Sequence, residues 1–432
     1  MVIAFASNRD ESMARGTSRA DFWDVESILN RASGPSKPPG ETARVDLGSL
    51  SGNDSSGNTI GIISGQDLQP SQAENYIIQE IENTSTGGEK IALTLSTEDV
   101  PGTWLGITTH GDLVALTNYR ESMEYLAKER GPKLSRGKVC GEFLITMVAA
   151  RDGANLNHSG ISSVANDRAE QWIKRRSIGW DEEFEGLNLL VVQNTGEQQC
   201  IGGNREGSEL TVYSVSEDPN AHHTPPQKTI VPGSVVGISN SIFKRPWNKV
   251  NIGVQALERT LNDSITLFGT GPHACLQPQY RSHTGSDASL QPALDDMKEL
   301  AWLVIEMLTL LRVNTLPYPK DNMDLVSTIL GLQERVFIPR IGPSKLGLEY
   351  GTRSSTIVLF GRDSRLIVFV EKTWYGPLDN VTGERAEFAP DSSEGLVWFQ
   401  GLVGQPRQEW KRIEDEELED LIRIAKEVQI SK

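Results

Sequence analysis

The order of strand-like and helix-like segments predicts a layered α+β fold. Strand-like runs come in neighbouring groups and helix-like runs also come in groups, where a parallel βαβ series would alternate them. No internal repeat period divides the chain into solenoid or propeller units. Apolar residues make up 37% of the 432 residues, beside 40 glycines and 21 prolines, which suits a loop-rich globular protein and no fibre.

The elements can be justified in order. Val2-Ile3-Ala4-Phe5-Ala6 is a continuous apolar run and reads as a buried strand. Residues 33–58, headed by Ser36-Lys37-Pro38-Pro39-Gly40, are rich in Ser, Gly and Pro and read as a loop insertion. Ile60-Gly61-Ile62-Ile63 resumes a strand. Residues 69–99 hold helix and strand patches around a Thr-Gly-Gly turn. Trp104–Thr108 and Leu113–Asn118 read as a hairpin turned by His110-Gly111-Asp112, where glycine supplies the unusual backbone angles. Phe143–Ala150 is a helix segment. Leu187–Gln193 is a buried strand with Gln199–Gly203 as its partner, and Leu210–Ser214 and Val235–Ile238 are further strands.

His222-His223 and Pro225-Pro226 fall in a stretch that reads as a solvated loop. Arg245-Pro246-Trp247 opens a helix, since proline fits the first turn, and Trp247, Val250, Val254, Leu257 and Leu261 form its stripe. Gly269–Ser289 is a polar, Gly-rich loop. Met297, Leu300, Ala301, Val304, Ile305, Leu308 and Leu311 follow the three-four spacing of a helix over Leu294–Leu311. Ser355–Phe360 and Leu366–Glu371 form a hairpin around Gly361-Arg362-Asp363-Ser364. Trp410–Val428 closes the chain as an amphipathic helix with an acidic outer face.

Charge and composition narrow the function. A net charge of −16 speaks against nucleic acid and against anionic membrane surfaces, both of which need a basic face. Cys140, Cys200 and Cys275 are far apart and in no metal-ligand spacing, so they read as reduced thiols in a reducing, cytoplasmic setting. The apolar start is too short for a secretory signal and runs into Arg9-Asp10-Glu11. The apolar stretch near Leu300–Leu311 is interrupted by Glu306 and too short to span a bilayer, so the chain is not expected to be an integral membrane protein. Gly202-Gly203 and Gly269–Gly271 lack a phosphate-loop context, and the sequence calls for no cofactor and no metal.

Four polar clusters end or follow strand-like segments: Arg9 with Asp10, Asn118, Asn240 and Arg353. Strand ends are where scaffolds present sites. An asparagine can donate to a developing oxyanion, and an arginine can hold a carboxylate through two parallel hydrogen bonds. A plainer reading stands beside this one, with both asparagines in turns and both arginines in surface ion pairs.

The segments Asn8-Arg9-Asp10-Glu11, Gly102-Thr103-Trp104-Leu105-Gly106-Ile107, Leu116-Thr117-Asn118-Tyr119, Gly237-Ile238-Ser239-Asn240-Ser241, Pro246-Trp247 and Tyr350-Gly351-Thr352-Arg353, in that order, resemble the NRDE family, also called the transport and Golgi organisation protein 2 family. The resemblance spans roughly Val2 to Glu371. It implies an Ntn-hydrolase-like four-layer αββα sandwich with loop insertions and a C-terminal helix. It divides the chain into an NRDE domain over 1–390, with insertions at 33–58 and 69–99, and an extension over 391–432. It is similar to penicillin V acylases and bile-salt hydrolases, whose site joins an N-terminal cysteine to a second-strand Arg and Asp, two asparagines and a late arginine. Arg9, Asp10, Asn118, Asn240 and Arg353 match the last five in order and form the expected pocket.

The nucleophile has no match. Family members begin Met-Cys, whereas residue 2 is Val2 and the first strand-like run corresponds to the family's second strand. Either the start of the chain lies upstream of Met1 or this member has lost the strand and the chemistry. The intact core pattern favours the first. The resemblance implies a non-enzymatic intracellular protein with a role in Golgi organisation and protein secretion, cytoplasmic with Golgi or mitochondrial association. Its expected partner is a small molecule, with haem or lipid handling among the implied roles. An amidohydrolase of linear C–N bonds is the alternative.

Overall fold

The computed structural model describes residues 3–13, 18–23, 61–64, 80–83, 89–92, 100–118, 134–155, 172, 184, 186–194, 208–215, 224–228, 235–241, 246–268, 294–313, 331–341, 349–360, 366–379, 381–382 and 384–430. Strands β1 (Ile3–Ser12), β2 (Asp21–Phe22) and β3 (Ile62–Ser64) come first, then a separate pair, β4 (Glu80–Asn83) with β5 (Glu89–Ala92). β6 (Leu105–Thr108) and β7 (Leu113–Asn118) lead to helix α1 (Gly137–Asn155). β8 (Leu187–Asn194), β9 (Ser208–Val215) and β10 (Thr224–Lys228) precede α2 (Asn248–Phe268) and α3 (Leu294–Leu311). β11 (Tyr350–Phe360), β12 (Leu366–Thr373), β13 (Tyr375–Leu378), β14 (Arg385–Glu387), β15 (Leu396–Leu402), β16 (Lys411–Arg412) and α4 (Asp415–Ile430) close the chain.

Two antiparallel sheets carry the architecture. Sheet one runs β1-β11-β12-β15-β16, and sheet two runs β10-β9-β8-β7-β6-β3-β2. Side chains alternate faces along a strand, so each sheet sorts its residues into two layers. On sheet one, Ile357, Leu359, Val368, Val370 and Trp398 pack with α3 and α4 through Leu300, Val304, Leu308, Leu418, Leu421 and Ile422. Their neighbours Val358, Phe360, Ile367, Phe369, Val397 and Phe399 point the other way, against Ile63, Ile107, Leu113 and Val192 of sheet two. The far face of sheet two buries Val114, Leu116, Leu187, Leu189 and Val191 under Val139, Phe143 and Leu144 of α1. Three apolar layers therefore separate four layers of structure. The chain builds the αββα sandwich that the resemblance implies.

Several expectations change in detail. β1 continues through Asn8-Arg9-Asp10-Glu11, so these residues lie within a strand and not behind one. Arg353 likewise sits within β11. Val235–Ile238 forms no strand; the segment lies against Ala115 and Leu190 through Ile238 and is held by side chains. Thr224–Lys228, read from sequence as loop, is the edge strand β10, with a register shift between Thr224 and Gln227 where its two prolines fall. Proline donates no ladder hydrogen bond, and a sheet edge tolerates that. Residues 33–58, His222-His223, Cys200, Cys275 and the Gly361–Ser364 turn lie outside the described residues. Within 69–99 the described part is the β4–β5 pair, joined to neither main sheet. Leu396–Leu402 pairs along β12, and α4 buries Leu418, Leu421, Ile422 and Ala425 in the core, so residues after 391 are knit into the sandwich.

Candidate functional site

The layer between the sheets is apolar along most of its length and turns polar at one end. Register makes the change abrupt. Phe5 of β1, Val358 of β11 and Phe369 of β12 form one rung across sheet one. Two residues on, the rung is Ser7, Thr356 and Glu371; two further, it is Arg9, Ser354 and Thr373. Three adjacent strands thus exchange an apolar row for two polar rows on the same face. A cleft of about 220 Å³ opens there, lined by Arg9, Arg353, Ser354, Glu371 and Thr373 from the sheet, Ser18 and Arg19 from the segment after β1, and Tyr375 and Arg385 from the β13–β14 pair.

A bulge brings the two sheet arginines together. Arg9 pairs with Ser354 and Asp10 with Thr352, which leaves Arg353 as the extra residue. A bulge re-aims a side chain that strict alternation would send to the opposite face, and Arg353 lines the cleft beside Ser354. The neighbours of Arg9 turn the other way. The Asn8 carboxamide donates to Leu311 O (2.7 Å) at the end of α3 and to Val336 O (2.8 Å), and accepts from the Ser355 hydroxyl, which in turn receives Trp374 Nε1 (2.7 Å). Asp10 accepts from Thr352 Oγ1 (2.6 Å) and lies 3.8 Å from Lys249 Nζ of α2. Asn8 and Asp10 fasten β1 to the helix layer; Arg9 faces the cleft.

Glu371 is the acid of the site. It is 7% exposed, and its Oε1 accepts the Ala20 backbone N–H at 2.8 Å. Burial raises its pKa above the usual carboxylate value, against the opposing pull of that hydrogen bond and of Arg9, Arg19 and Arg353. Arg385 is committed elsewhere: its Nε lies 3.2 Å from Glu349, which also holds Arg340 at 2.7 Å. The segment Ser18–Trp23 crosses from sheet one to sheet two, latched on Glu371 at Ala20, paired with β3 at Phe22 and buried at Trp23.

Sheet two makes the same turn from apolar to polar. Its inter-sheet rungs run Leu113 with Val192, Ala115 with Leu190, then Thr117 with Asn188. Asn188 Nδ2 donates to Thr117 Oγ1 (3.0 Å), Ser239 O (2.9 Å) and Ser241 O (2.8 Å), and Thr117 Oγ1 donates to Ser239 O (2.8 Å). The carbonyls on either side of Asn240 are therefore gripped. Asn118 follows Val114 and Leu116 in the alternation, on the face toward α1, and its buried Oδ1 has no hydrogen-bond partner among the described residues.

Of the five residues expected from sequence, the structure brings Arg9 and Arg353 into one cleft. It sets Asp10 on the helix-facing side of sheet one, and Asn118 and Asn240 on and beside sheet two. Arg19, Glu371 and Asn188 were not among them. The polar residues that break an apolar alternation, Glu371 after Phe369 and Asn188 before Leu190, were the signal that pointed to the last two. The described cysteine, Cys140 of α1, is buried in the core between that helix and sheet two, and burial pushes its thiol pKa up, away from nucleophilic use.

Fold and site together define a four-layer αββα sandwich with an arginine-lined cleft at one end of sheet one, beside the β13–β14 pair. Residues 86–376, more than half of the chain, match the Transport and Golgi organisation 2 family, and the chain belongs to that family. Asn118, Asn240 and Arg353 lie inside the matched span, whereas β1 with Arg9 and Asp10 precedes it. Similar relatives are the Transport and Golgi organization 2 homolog of Mus musculus, 22% identical over 61% of this chain and 60% of that protein, and that of Bos taurus, 23% identical over 64% and 73%. The human homolog is 27% identical over 37% of this chain and 45% of its own length. The chain thus spans well under the full length of these relatives. Among solved structures, an arginine-to-leucine variant of conjugated bile acid hydrolase from Clostridium perfringens shares 11% identity over 90% of this chain and 94% of that one, with a TM-score of 0.28. A cysteine-to-alanine mutant of the same enzyme gives 12% over 77% and 94%, with a TM-score of 0.23. Scores at this level carry no weight for fold or chemistry.

Proposed function

We propose that this chain is a non-hydrolytic binding protein that holds a small molecule in the cleft at the end of sheet one, and that it serves Golgi organisation and protein secretion from inside the cell. The cleft itself carries this reading: guanidinium, hydroxyl and carboxyl groups converge where the inter-sheet layer ends, on a face that would otherwise continue as apolar core. Polar groups set into a buried layer are costly to desolvate unless they are satisfied or used. The relatives' names support the cellular role, and among the described residues no helix is long and apolar enough to cross a membrane. Residues 3–430 are taken as one functional unit, because β15 and α4 belong to the same core as β1. Haem or lipid handling is the narrower role the family resemblance implies.

Among the described residues Cys140 is excluded as a nucleophile, since its thiol is buried and hard to ionise. The test is a thermal-shift panel of small acids, amides, fatty acids and haem, run beside an amine-release assay on N-acyl amides. Saturable stabilisation by at least one compound, without release of amine, is the expected result. Turnover of the amides by the purified chain would replace the binding reading with the amidohydrolase. A panel without any saturable shift would remove the cleft as a binding site.

A further inference from the structure

The geometry points to a small monocarboxylic acid as the occupant of this cleft, held on the guanidinium groups of Arg9, Arg19 and Arg353, with Glu371 taking up one proton from solvent as the acid binds. This rests on the binding reading above and names its ligand.

The lining decides the sign of the ligand. Among the described residues of the cleft, Arg9, Arg19, Arg353 and Arg385 stand against Glu371 as the only carboxylate. Arg385 pairs with Glu349, while Arg9, Arg19 and Arg353 act electrostatically on Glu371, so the cleft carries an excess of positive charge. Guanidinium is planar and offers paired N–H donors that match a carboxylate. The arginines come from three separate segments, β1, β11 and the crossing segment at Arg19, so they converge on the cleft through tertiary structure and share no run of sequence. Ser354 and Thr373, on the same rung as Arg9, and Tyr375 add hydroxyls to the wall. The volume, about 220 Å³, suits a short acid.

Glu371 supplies the proton coupling. It is buried, and its Oε1 is occupied by the Ala20 N–H. The charged and titratable groups facing the cleft from each packed element are Arg9 on β1, Arg353 on β11, Arg19 on the crossing segment, and Tyr375 and Arg385 on the β13–β14 pair. β15 contributes uncharged Val397 beside Glu371. Two carboxylates in one cleft repel, and the usual settlement is a shared proton. Bringing a second carboxylate to the arginines therefore favours the protonated form of Glu371, whose ionisation burial already resists. The proton makes one O–H bond on Glu371 and leaves the ligand an anion. A monoacid is favoured because its single negative charge is matched by the one proton that Glu371 takes up, which leaves the net charge of the cleft unchanged.

Isothermal titration of the full chain with butyrate, benzoate, butyramide, benzamide and inorganic phosphate tests this, in buffers of different ionisation enthalpy. The expected result is that at least one carboxylate binds tenfold or more tightly than its amide. Its apparent enthalpy tracks the buffer with the slope of proton uptake, and affinity weakens as pH rises from 6 to 8. Glu371→Gln keeps binding and loses the slope. Arg19→Met, at an exposed position that the fold tolerates, weakens carboxylate binding at least tenfold, and Arg19→Lys recovers part of it. Amides binding as well as acids would overturn the anion assignment while leaving the cleft a binding site. Phosphate binding in place of the carboxylates would overturn the monoacid, and a carboxylate bound without proton uptake would overturn the role of Glu371. No binding by any of these probes or by the wider panel above would overturn both readings.

Discussion

Asn8 shows how much one side chain does in this sandwich. Its carboxamide donates to two main-chain carbonyls, one at the end of α3, and accepts from Ser355, which holds the buried Trp374 indole. Asn8→Ala leaves those carbonyls without their donors, and a buried polar group stripped of its partner costs about 1–3 kcal/mol. A loss of about 2–4 kcal/mol in urea unfolding is expected by that same reckoning; a change below about 0.5 kcal/mol, the scatter of ordinary surface substitutions, would contradict this picture of Asn8. Glu371 gives a pH signature. Its folded pKa is raised, so its contribution to stability is fully present below the unfolded value and is lost as pH rises through the folded one. Glu371→Gln retains an acceptor for the Ala20 N–H and removes that loss. The variant should melt above the parent at pH 8, with the difference shrinking toward pH 4; the reverse trend in a calorimeter would show that the arginines dominate over burial. Arg9 and Asp10 were legible in the sequence as a polar cluster following an apolar run. Their division between cleft and helix layer was not, because it depends on strand parity and on the bulge at Arg353, both set by the pairing with β11.

At the scale of elements, the joint between β12 and β15 is tight. Gly395 has φ +72, and a Cβ there would lie 2.4 Å from Thr373 O. The same residue accepts the Thr373 N–H through its carbonyl at 2.9 Å, at the end of the strand that carries Glu371. Left-handed backbone costs a substituted residue roughly 1–2 kcal/mol before any clash is counted. Gly395→Ala should therefore cost more than about 2 kcal/mol by that measure, read from chemical unfolding, whereas a neutral result would mean the turn relaxes freely. Lys372, the next residue on the opposite face from Glu371, is fully buried and donates to Ser392 O (2.7 Å) and Glu394 O (2.6 Å). Burial lowers its pKa to about 8, with Glu394 and Asp391 pulling the other way. The loop between β14 and β15 is thus clipped to β12 on the helix side while Gly395 closes it from the other. Helix α3 was readable from the three-four spacing of its apolar residues, and hairpin β6–β7 from two short apolar runs around a glycine turn. Edge strand β10 was not, since proline and histidine read as loop until a neighbouring strand supplies the ladder.

Across the whole molecule, helices α3 and α4 seal the outer face of sheet one. Leu418 is 1% exposed among Trp398, Ile413, Leu421 and the α3 leucines. Truncating a core leucine removes its transfer energy and leaves a cavity, together about 2–5 kcal/mol. Leu418→Ala should fall in that range in equilibrium unfolding, and a cost under about 1 kcal/mol would mean that α4 docks weakly on the sandwich. By itself the sequence determined the layered class, the family, most long strands and helices, and the residue types of a site, because period, turn chemistry and motif order are local properties. Tertiary structure alone decided that residues after 391 complete sheet one, that Arg19 and Glu371 join Arg9 and Arg353, and that Asn8 and Asp10 serve the helices. Those outcomes depend on which strands pair, in what register and with which bulge, and contacts between residues more than three hundred positions apart leave no trace in local pattern.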